Sequence, residues 1–132
     1  MDEIPKIKPE IIFCAENEEV YNLLCDRLKE MEFNDYILDI CARKKFFNIT
    51  IGYRDYARKW YLEEVLSEFV SYFPFWNNEG FIDFCKQNKI EVRMCIVIYQ
   101  YGTYPGITVD HNTLSLLHKF NGDLDFDIYD LA

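Results

Sequence analysis

The sequence predicts a single α+β domain, and three observations lead to that prediction. Segments with the two-residue period of strands alternate along the chain with segments whose apolar residues recur every three or four positions, as in helices. Hydrophobic residues make up 50% of the 132 positions and aromatic residues 17%, which favours a packed core over disorder. No linker-like tract divides the chain, so residues 1–132 are expected to form one domain. We expect a mixed or antiparallel sheet of about four to five strands, covered mainly on one face by two or three helices.

The first half contains two predicted strands and one predicted helix. After an irregular lead from Pro5 to Pro9, the apolar run 11–14 has the length of a short strand. Asn17 is a suitable helix cap, and apolar residues then recur on one helical face as far as Met31. Residues 46–52 alternate and are rich in β-branched and aromatic side chains, which predicts a strand that ends at Gly52.

The next section predicts two helices and a long strand. Apolar residues at three- and four-residue spacing predict a helix from Trp60 to Phe73, ended by Pro74. A shorter helix is expected around residues 81–85. Residues 90–101 begin with alternation and become continuously apolar, a pattern typical of a strand covered on both faces. We therefore expect this strand in the middle of the sheet.

The end of the chain predicts a helix followed by an acidic strand. Asp110 is a plausible helix cap, and Asn121-Gly122 is a typical helix stop. In residues 123–130 acidic and apolar residues alternate, so one face of the strand should dock on the core through three apolar side chains: Leu124, Phe126 and Ile128. The other face should present a row of carboxylates: Asp123, Asp125 and Asp127.

The charge of the chain limits its partners. The formal net charge is −9, which repels nucleic acid and anionic membranes and favours encounter with basic partners. No apolar run approaches the roughly 20 residues that a bilayer span needs, and the acidic start of the chain lacks the features of a signal peptide. We expect a cytoplasmic protein that binds neither nucleic acid nor membrane. A simpler alternative is that the charge only maintains solubility.

The sequence offers little support for catalysis or metal binding. The five cysteines form no Cys-x-x-Cys pair, and His111 and His118 are seven positions apart, too far for two ligands on one helical turn. The three aspartates lack the glycine and glutamate of a calcium loop. Phosphate-binding, dinucleotide-binding and serine-hydrolase motifs are also missing from the sequence. We predict a non-enzyme without cofactor or metal, while a cysteine paired with a histidine in space stays a third possibility.

Several motifs in the second half resemble a known family. They are Ile51-Gly-Tyr-Arg54, Lys59-Trp60, Tyr104-Pro-Gly-Ile107 and a leucine-rich helix followed by an Asp-x-Asp-x-Tyr strand. This order resembles a family of small bacterial proteins catalogued as a domain of unknown function, over about residues 46 to 130. In size, charge and composition the chain also resembles immunity proteins of contact-dependent growth inhibition and related polymorphic toxin systems.

The second resemblance implies a function. The chain would be a cytosolic immunity protein that binds a cognate toxin domain 1:1, expected to be a basic nuclease, and occludes its active or substrate-binding site. Carboxylates would pair with toxin lysines and arginines, while aromatic side chains at element ends would anchor the interface. The predicted partner-binding residues are Asp123, Asp125, Asp127, Asp130, Tyr101, Tyr104 and Trp76. The alternative is an acidic binding module without a toxin partner, such as a nucleic-acid mimic or a housekeeping domain.

Overall fold

The computed structural model describes residues 3–131 and has the expected α+β architecture, a single sheet packed against helices. The strands are β1 (Lys6–Cys14), β2 (Leu38–Arg43), β3 (Asn48–Tyr53), β4 (Ala57–Arg58), β5 (Glu91–Gln100) and β6 (Asp123–Asp130). The α-helices are α1 (Glu18–Lys29), α2 (Leu62–Ser71), α3 (Glu79–Gln87) and α4 (His111–Lys119). Short 3₁₀ turns span Lys44–Phe46 and Pro74–Asn77. Within residues 3–131, no helix has both the length and the apolar character needed to cross a membrane.

The strand order of the sheet is β2-β3-β1-β5-β6, with the short β4 also paired to β1. The pairs are antiparallel except β5 with β6, which is parallel. The middle strand is therefore β1, and the predicted central position of residues 90–101 is wrong. The prediction treated Pro5 to Pro9 as an irregular lead and started the first strand at Ile11, whereas β1 begins at Lys6. In the structure Pro9 lies at a gap, since β4 pairs only with Lys6 and Ile7 and β3 begins its pairing at Glu10.

Helices cover one face of the sheet only. On that face Ile7, Ile11 and Phe13 of β1 are fully buried, together with Met94 and Ile96 of β5. On the other face β5 presents Glu91 and Arg93, which are exposed, and three partly buried residues, Cys95, Val97 and Tyr99. The prediction that residues 90–101 are covered on both faces is therefore wrong. Cys95 and Val97 lengthened the apolar run, although they face away from the helices.

The predicted helices and their caps agree with the structure. Asn17 Oδ1 accepts a hydrogen bond from the Val20 amide (2.9 Å), and Asp110 Oδ2 accepts one from the Thr113 amide (3.2 Å). Of the six residues that the spacing placed on one face of the second predicted helix, five are buried, and the sixth, Val70, is partly buried. The buried ones are Leu62, Val65, Leu66, Phe69 and Phe73. Helix α2 begins two residues after Trp60 and ends two residues before Phe73. The cap side chains hydrogen-bond to amides three residues away, and the apolar side chains of each helix pack on the sheet. Local periodicity therefore predicted these helices correctly.

Two elements of the first half differ from the prediction. Strand β2 was not predicted, because only Leu38 is buried and the other five residues are exposed, so the strand lacks a buried stripe. Strand β3 begins at Asn48 rather than at residue 46. Phe46 lies in the preceding 3₁₀ turn and Phe47 has a left-handed backbone (φ 53°), which separates both residues from the strand.

An aromatic cluster fills the core beneath α3 and α4. The ring centroid of Phe75 lies 5.5 Å from that of Phe13, 5.1 Å from that of Trp76 and 6.1 Å from that of Phe120. Trp76 is only 2% exposed, so the expectation of a partner-facing Trp76 is wrong. The 3₁₀ turn that starts at Pro74 directs Phe75 and Trp76 inward, where Trp76 packs on Phe120 at 5.6 Å.

The final strand forms where it was predicted, but its apolar face is only partly covered. Leu124 packs against the core, whereas Phe126 is 37% and Ile128 is 44% exposed. Strand β6 is the edge of the sheet, and α4 packs mainly against α2 and β5. All three side chains were expected to dock on the core, but Leu124 is only partly buried and the other two are exposed.

The burial of Trp76 generates a stability prediction. Trp76→Ala removes a large side chain from a packed core, so the free energy of unfolding should fall by about 3–5 kcal/mol. Tyr104→Ala is the control, because Tyr104 is 65% exposed and its loss should change stability by no more than about 0.5 kcal/mol. Chemical denaturation followed by circular dichroism measures both values. Equal stabilities of the two variants would contradict the packing described here.

Candidate protein-binding surface

The candidate site is the side of the sheet that carries no helix, called here the open face. The pairing registers place the even-numbered residues of β1 beside the odd-numbered residues of β5 and β6 on this side. Their side chains are exposed or only partly buried, in contrast to the residues between them. On this face β1 contributes Lys6, Lys8, Glu10 and Ile12, β5 contributes Arg93, Cys95, Val97 and Tyr99, and β6 contributes Asp123, Asp125, Asp127 and Tyr129.

Three carboxylates follow one another along the β6 edge of the open face. Asp123, Asp125 and Asp127, the aspartate row, are all exposed, and successive members are about 6.6–6.8 Å apart along an extended strand. Arg93 Nε lies 3.3 Å from Asp125 Oδ2, and both side chains are about half exposed, so this ion pair is weak. The period of two places Asp130 on the opposite face, beside Gln100, so it does not belong to the row.

Besides burial, the negative charges of the nearby carboxylates contribute to a raised pKa of the Cys95 thiol. Burial, followed by the charge of Asp127, its hydrogen bond from the thiol, and the charges of Glu10 and Asp125, raises the pKa of Cys95 to about 11. The Sγ atom lies 3.6 Å from Asp127 Oδ2. A group that loses a proton becomes negative, and nearby carboxylates oppose that change. The aspartate row is therefore an anionic surface despite its contact with Arg93.

Three tyrosines gather at the end of the aspartate row. The rings of Tyr99 and Tyr129 stack at 5.1 Å, and Tyr56 packs edge-on against Tyr99 at 5.3 Å. A hydrogen bond with the Tyr56 side chain raises the pKa of Tyr99, and Lys8 Nζ lies 5.5 Å from the Tyr56 ring centroid. Tyr56 and Tyr129 are 41% and 49% exposed. This tyrosine cluster (Tyr56, Tyr99, Tyr129) offers a broad aromatic surface next to the carboxylates.

Sequence reasoning found only part of this arrangement. Tyr129 follows Asp127 by two positions, so the same period that defined the row could have placed it on the open face. Tyr56 gave no such signal, because it comes from the turn before β4 and reaches Tyr99 only in the folded sheet. Two predicted anchors lie in or beside the loop after β5: Tyr101 is half-buried, and Tyr104 is exposed. The Gly106 N–H donates a hydrogen bond to the Trp60 carbonyl oxygen (2.7 Å), which ties that loop to the chain just before α2.

Three of the five thiols have pKa values shifted away from those of an activated nucleophile. Burial raises the pKa of Cys14, of Cys85 to about 12 and of Cys95, whereas an activated nucleophile needs a lowered thiol pKa. His111 Nε2 lies 3.4 Å from Ser115 Oγ, a neighbour one turn along the same helix. From residue 3 to residue 131, no three His, Cys, Asp or Glu side chains cluster in a way that could hold a metal ion.

A shallow recess of about 340 Å³ lies on the β2–β3 half of the open face. Gly52 forms its floor, since a Cβ there would come within 3.0 Å of Glu10 Cγ and 3.2 Å of the Pro9 carbonyl oxygen. Its rim mixes signs, with Lys8 and Arg43 near Glu10 and Asp39. This recess lacks both the run of three carboxylates and the exposed tyrosine cluster of the β6 half.

A comparison with protein families finds a match that covers the second half of the chain. The family model described as "Domain of unknown function (DUF4279)" matches residues 59–131. The chain belongs to this family. The resemblance expected from the sequence is thereby confirmed at the level of a domain of unknown function, although Ile51-Gly-Tyr-Arg54 lies outside the match. No curated protein and no solved structure matches the chain.

The matched region contains most of the candidate surface. It spans α2, α3, β5, α4 and β6, and so includes the aspartate row together with Tyr99 and Tyr129. Tyr56 and the first four strands lie outside it. The family portion therefore supplies the acidic edge, and the first 58 residues supply the middle and the opposite edge of the sheet.

Because burial and the aspartate row together raise the pKa of Cys95, removing one charge of the row should change the alkylation rate of this thiol. Asp127→Asn removes a carboxylate that raises the thiol pKa, so the pKa should fall and more thiolate should be present at about pH 9. Alkylation of Cys95, followed by peptide mass spectrometry, should accelerate severalfold, because one pKa unit changes the thiolate fraction about tenfold. Asp83→Asn, an exposed change on α3, should leave the rate unchanged. Equal rates in both variants would show that burial alone sets the thiol pKa.

Proposed function

We propose that this protein is a cytosolic immunity protein that binds a basic toxin domain, expected to be a nuclease, and neutralises it by covering its active or substrate-binding surface. The observation that carries the proposal is the continuity of the aspartate row with the tyrosine cluster on one uncovered sheet face. A nuclease that holds phosphates with lysines and arginines presents charges that suit such a row. The open face would bind without a cofactor and without catalysis by this chain.

The two parts of the surface would contribute differently to binding. Exposed carboxylates steer a basic partner and select it, which acts mainly on the association rate and on specificity. Tyrosines bury a large area at a small cost in side-chain entropy, and such residues dominate the energy of many interfaces. Because Tyr99 is held between Tyr56 and Tyr129, the cluster is already ordered before binding. The row would guide the toxin, and the cluster would retain it.

The charges of the row are available for a partner. Within residues 3–131, ion pairs join Lys8 to Glu10, Lys44 to Glu18, Arg54 to Asp39 and Arg93 to Asp125. Asp125 is the member of the row among them, and its exposed pair with Arg93 can be exchanged for a toxin cation at small cost. Asp123 and Asp127 extend the anionic surface on either side of Asp125.

The partner surface differs from the set that the sequence suggested. Asp123, Asp125 and Asp127 stay in it, and Tyr56, Tyr99 and Tyr129 take the place of the buried Trp76 as the aromatic anchors. Tyr101 and Tyr104 are retained as residues at its border, since they follow directly after β5. Asp130 would contact a partner only from the other side of the sheet edge.

Neutralisation of the row tests the proposal directly. Bacterial cells that express the toxin encoded beside this gene should regain growth when they also express this protein, and the purified pair should associate 1:1. The triple variant Asp123→Asn, Asp125→Asn, Asp127→Asn should weaken binding about tenfold, since three exposed charge pairs of about 0.5 kcal/mol each are lost. The association rate of the wild type should fall as salt rises.

A control variant with the same net charge separates the row from charge in general. Asp26→Asn, Glu32→Gln, Asp83→Asn neutralises three exposed carboxylates in or near the helices and should leave toxin affinity unchanged. Equal weakening by both triple variants would contradict the assigned site. If the wild type neither binds nor neutralises the neighbouring toxin, the immunity role is wrong, and the acidic module without a toxin partner becomes the better description.

A further inference from the structure

Strand β2 forms the second edge of the sheet, and no strand within residues 3–131 pairs with its outer side. Five of its six residues are exposed, and Ile40 is 42% exposed although it is apolar. The strand lies between two exposed aromatic residues, Tyr36 before it (95% exposed) and Phe46 after it (60%). An edge strand offers free backbone N–H and C=O groups to another strand. This edge therefore has the composition of a contact surface.

The charges of β2 are arranged so that two antiparallel copies of the strand would complement each other. Asp39 and Arg43 have opposite signs and stand two positions before and two positions after Cys41. If two copies pair antiparallel about Cys41, Asp39 of each copy lies opposite Arg43 of the other. The same register sets Ile40 opposite Ala42. A two-fold contact requires this kind of surface, because each copy presents the same patch to the other.

We propose that two copies of this protein form a symmetric dimer through antiparallel β2–β2 pairing centred on Cys41. The sheets of the two copies would then join into one continuous sheet across the dimer. This inference does not depend on the proposed function, because the aspartate row lies on the opposite edge and stays accessible in the dimer. Each dimer would carry two copies of that row.

The backbone directions of β2 agree with this register. The Arg54 amide donates to the Ile37 carbonyl (2.9 Å), so the Ile37 carbonyl points toward β3, next to the Leu38–Tyr53 pair. Hydrogen-bonded and non-hydrogen-bonded pairs alternate along an antiparallel ladder. The odd residues of β2 therefore bond to β3, and the even residues Ile40 and Ala42 direct their N–H and C=O groups to the free edge.

In the proposed register, the free backbone groups of the two β2 strands face each other and can form an antiparallel ladder. Ile40 of one copy and Ala42 of the other exchange two backbone hydrogen bonds, and the reciprocal pair does the same. Cys41 and its counterpart form the non-hydrogen-bonded pair between them, with a Cα–Cα distance of about 4.5 Å. Asp39 and Arg43 of the other copy form pairs of this closer kind as well, where opposite charges stabilise most.

The apolar surface beside the β2 edge also favours a second copy of the protein as the binding partner. A groove of about 140 Å³ runs between α1 and the edge and is lined by Leu28, Ile40, Ala42 and Ile49, with Cys25 and the stem of Lys29. Antiparallel pairing places a second Ile40 and Ala42 against its open side. It also brings the Tyr36 end of one strand beside the Phe46 end of the other. The β6 edge lacks this property, because its like-charged aspartates would repel those of a second copy.

Charge exchange across the dimer tests the register. In sedimentation velocity, the wild type should shift from monomer to dimer as its concentration rises. Arg43→Asp sets two aspartates opposite each other at two places in the dimer and should weaken dimerisation about tenfold. Asp39→Arg should act likewise. The double variant Asp39→Arg, Arg43→Asp restores opposite charges and should dimerise like the wild type.

Crosslinking tests the position of the two-fold axis. A short bismaleimide should join two chains through Cys41, identified by peptide mass spectrometry, while Cys41→Ser should dimerise without forming that link. Unchanged far-ultraviolet circular dichroism shows that each variant is folded, as expected for changes at exposed positions. A wild type that stays monomeric at every concentration overturns the proposal. Dimerisation unaffected by either single charge change, or crosslinks that avoid Cys41, overturns it as well.

Discussion

The one-sided covering of the sheet is the constraint on which the rest of the structure depends. Strand β1 alternates strictly between buried and partly exposed residues, and all helices pack on its buried side through one connected apolar core. Because the other side carries no helix, it must remain compatible with water. It therefore collects charged, tyrosine and small polar side chains, and these are also the groups from which a protein-binding surface can be built.

The two edges of this sheet manage their free backbone groups in different ways. Strand β6 carries aspartates of one sign, which oppose pairing with a second copy and favour a basic partner. Strand β2 carries opposite signs placed symmetrically about Cys41, which favours a second copy. The same covalent chain can therefore discriminate between two kinds of contact. The proposed immunity role uses the first edge, and the proposed dimer uses the second.

Prediction from sequence succeeded where the signal was local. The caps at Asn17 and Asp110 and the buried stripe of α2 depend on residues within three or four positions of each other. The acidic and apolar faces of β6 likewise followed from the period of two. The prediction failed where position depended on distant partners. Pro9 lies where two separate strands meet beside β1, and Trp76 is buried among aromatic rings that include the distant Phe120.

The sequence by itself determined the α+β class, the helices, and the face of β6 on which the aspartates lie, because backbone periodicity fixes which side chains share a face. Only the tertiary structure decided that β1 is central, that β6 is an edge, and that Tyr56 joins Tyr99 and Tyr129. The physical reason is that strand order and cross-strand contacts are set by the burial of the whole core. That burial joins residues far apart in the chain, and local periodicity carries no information about it.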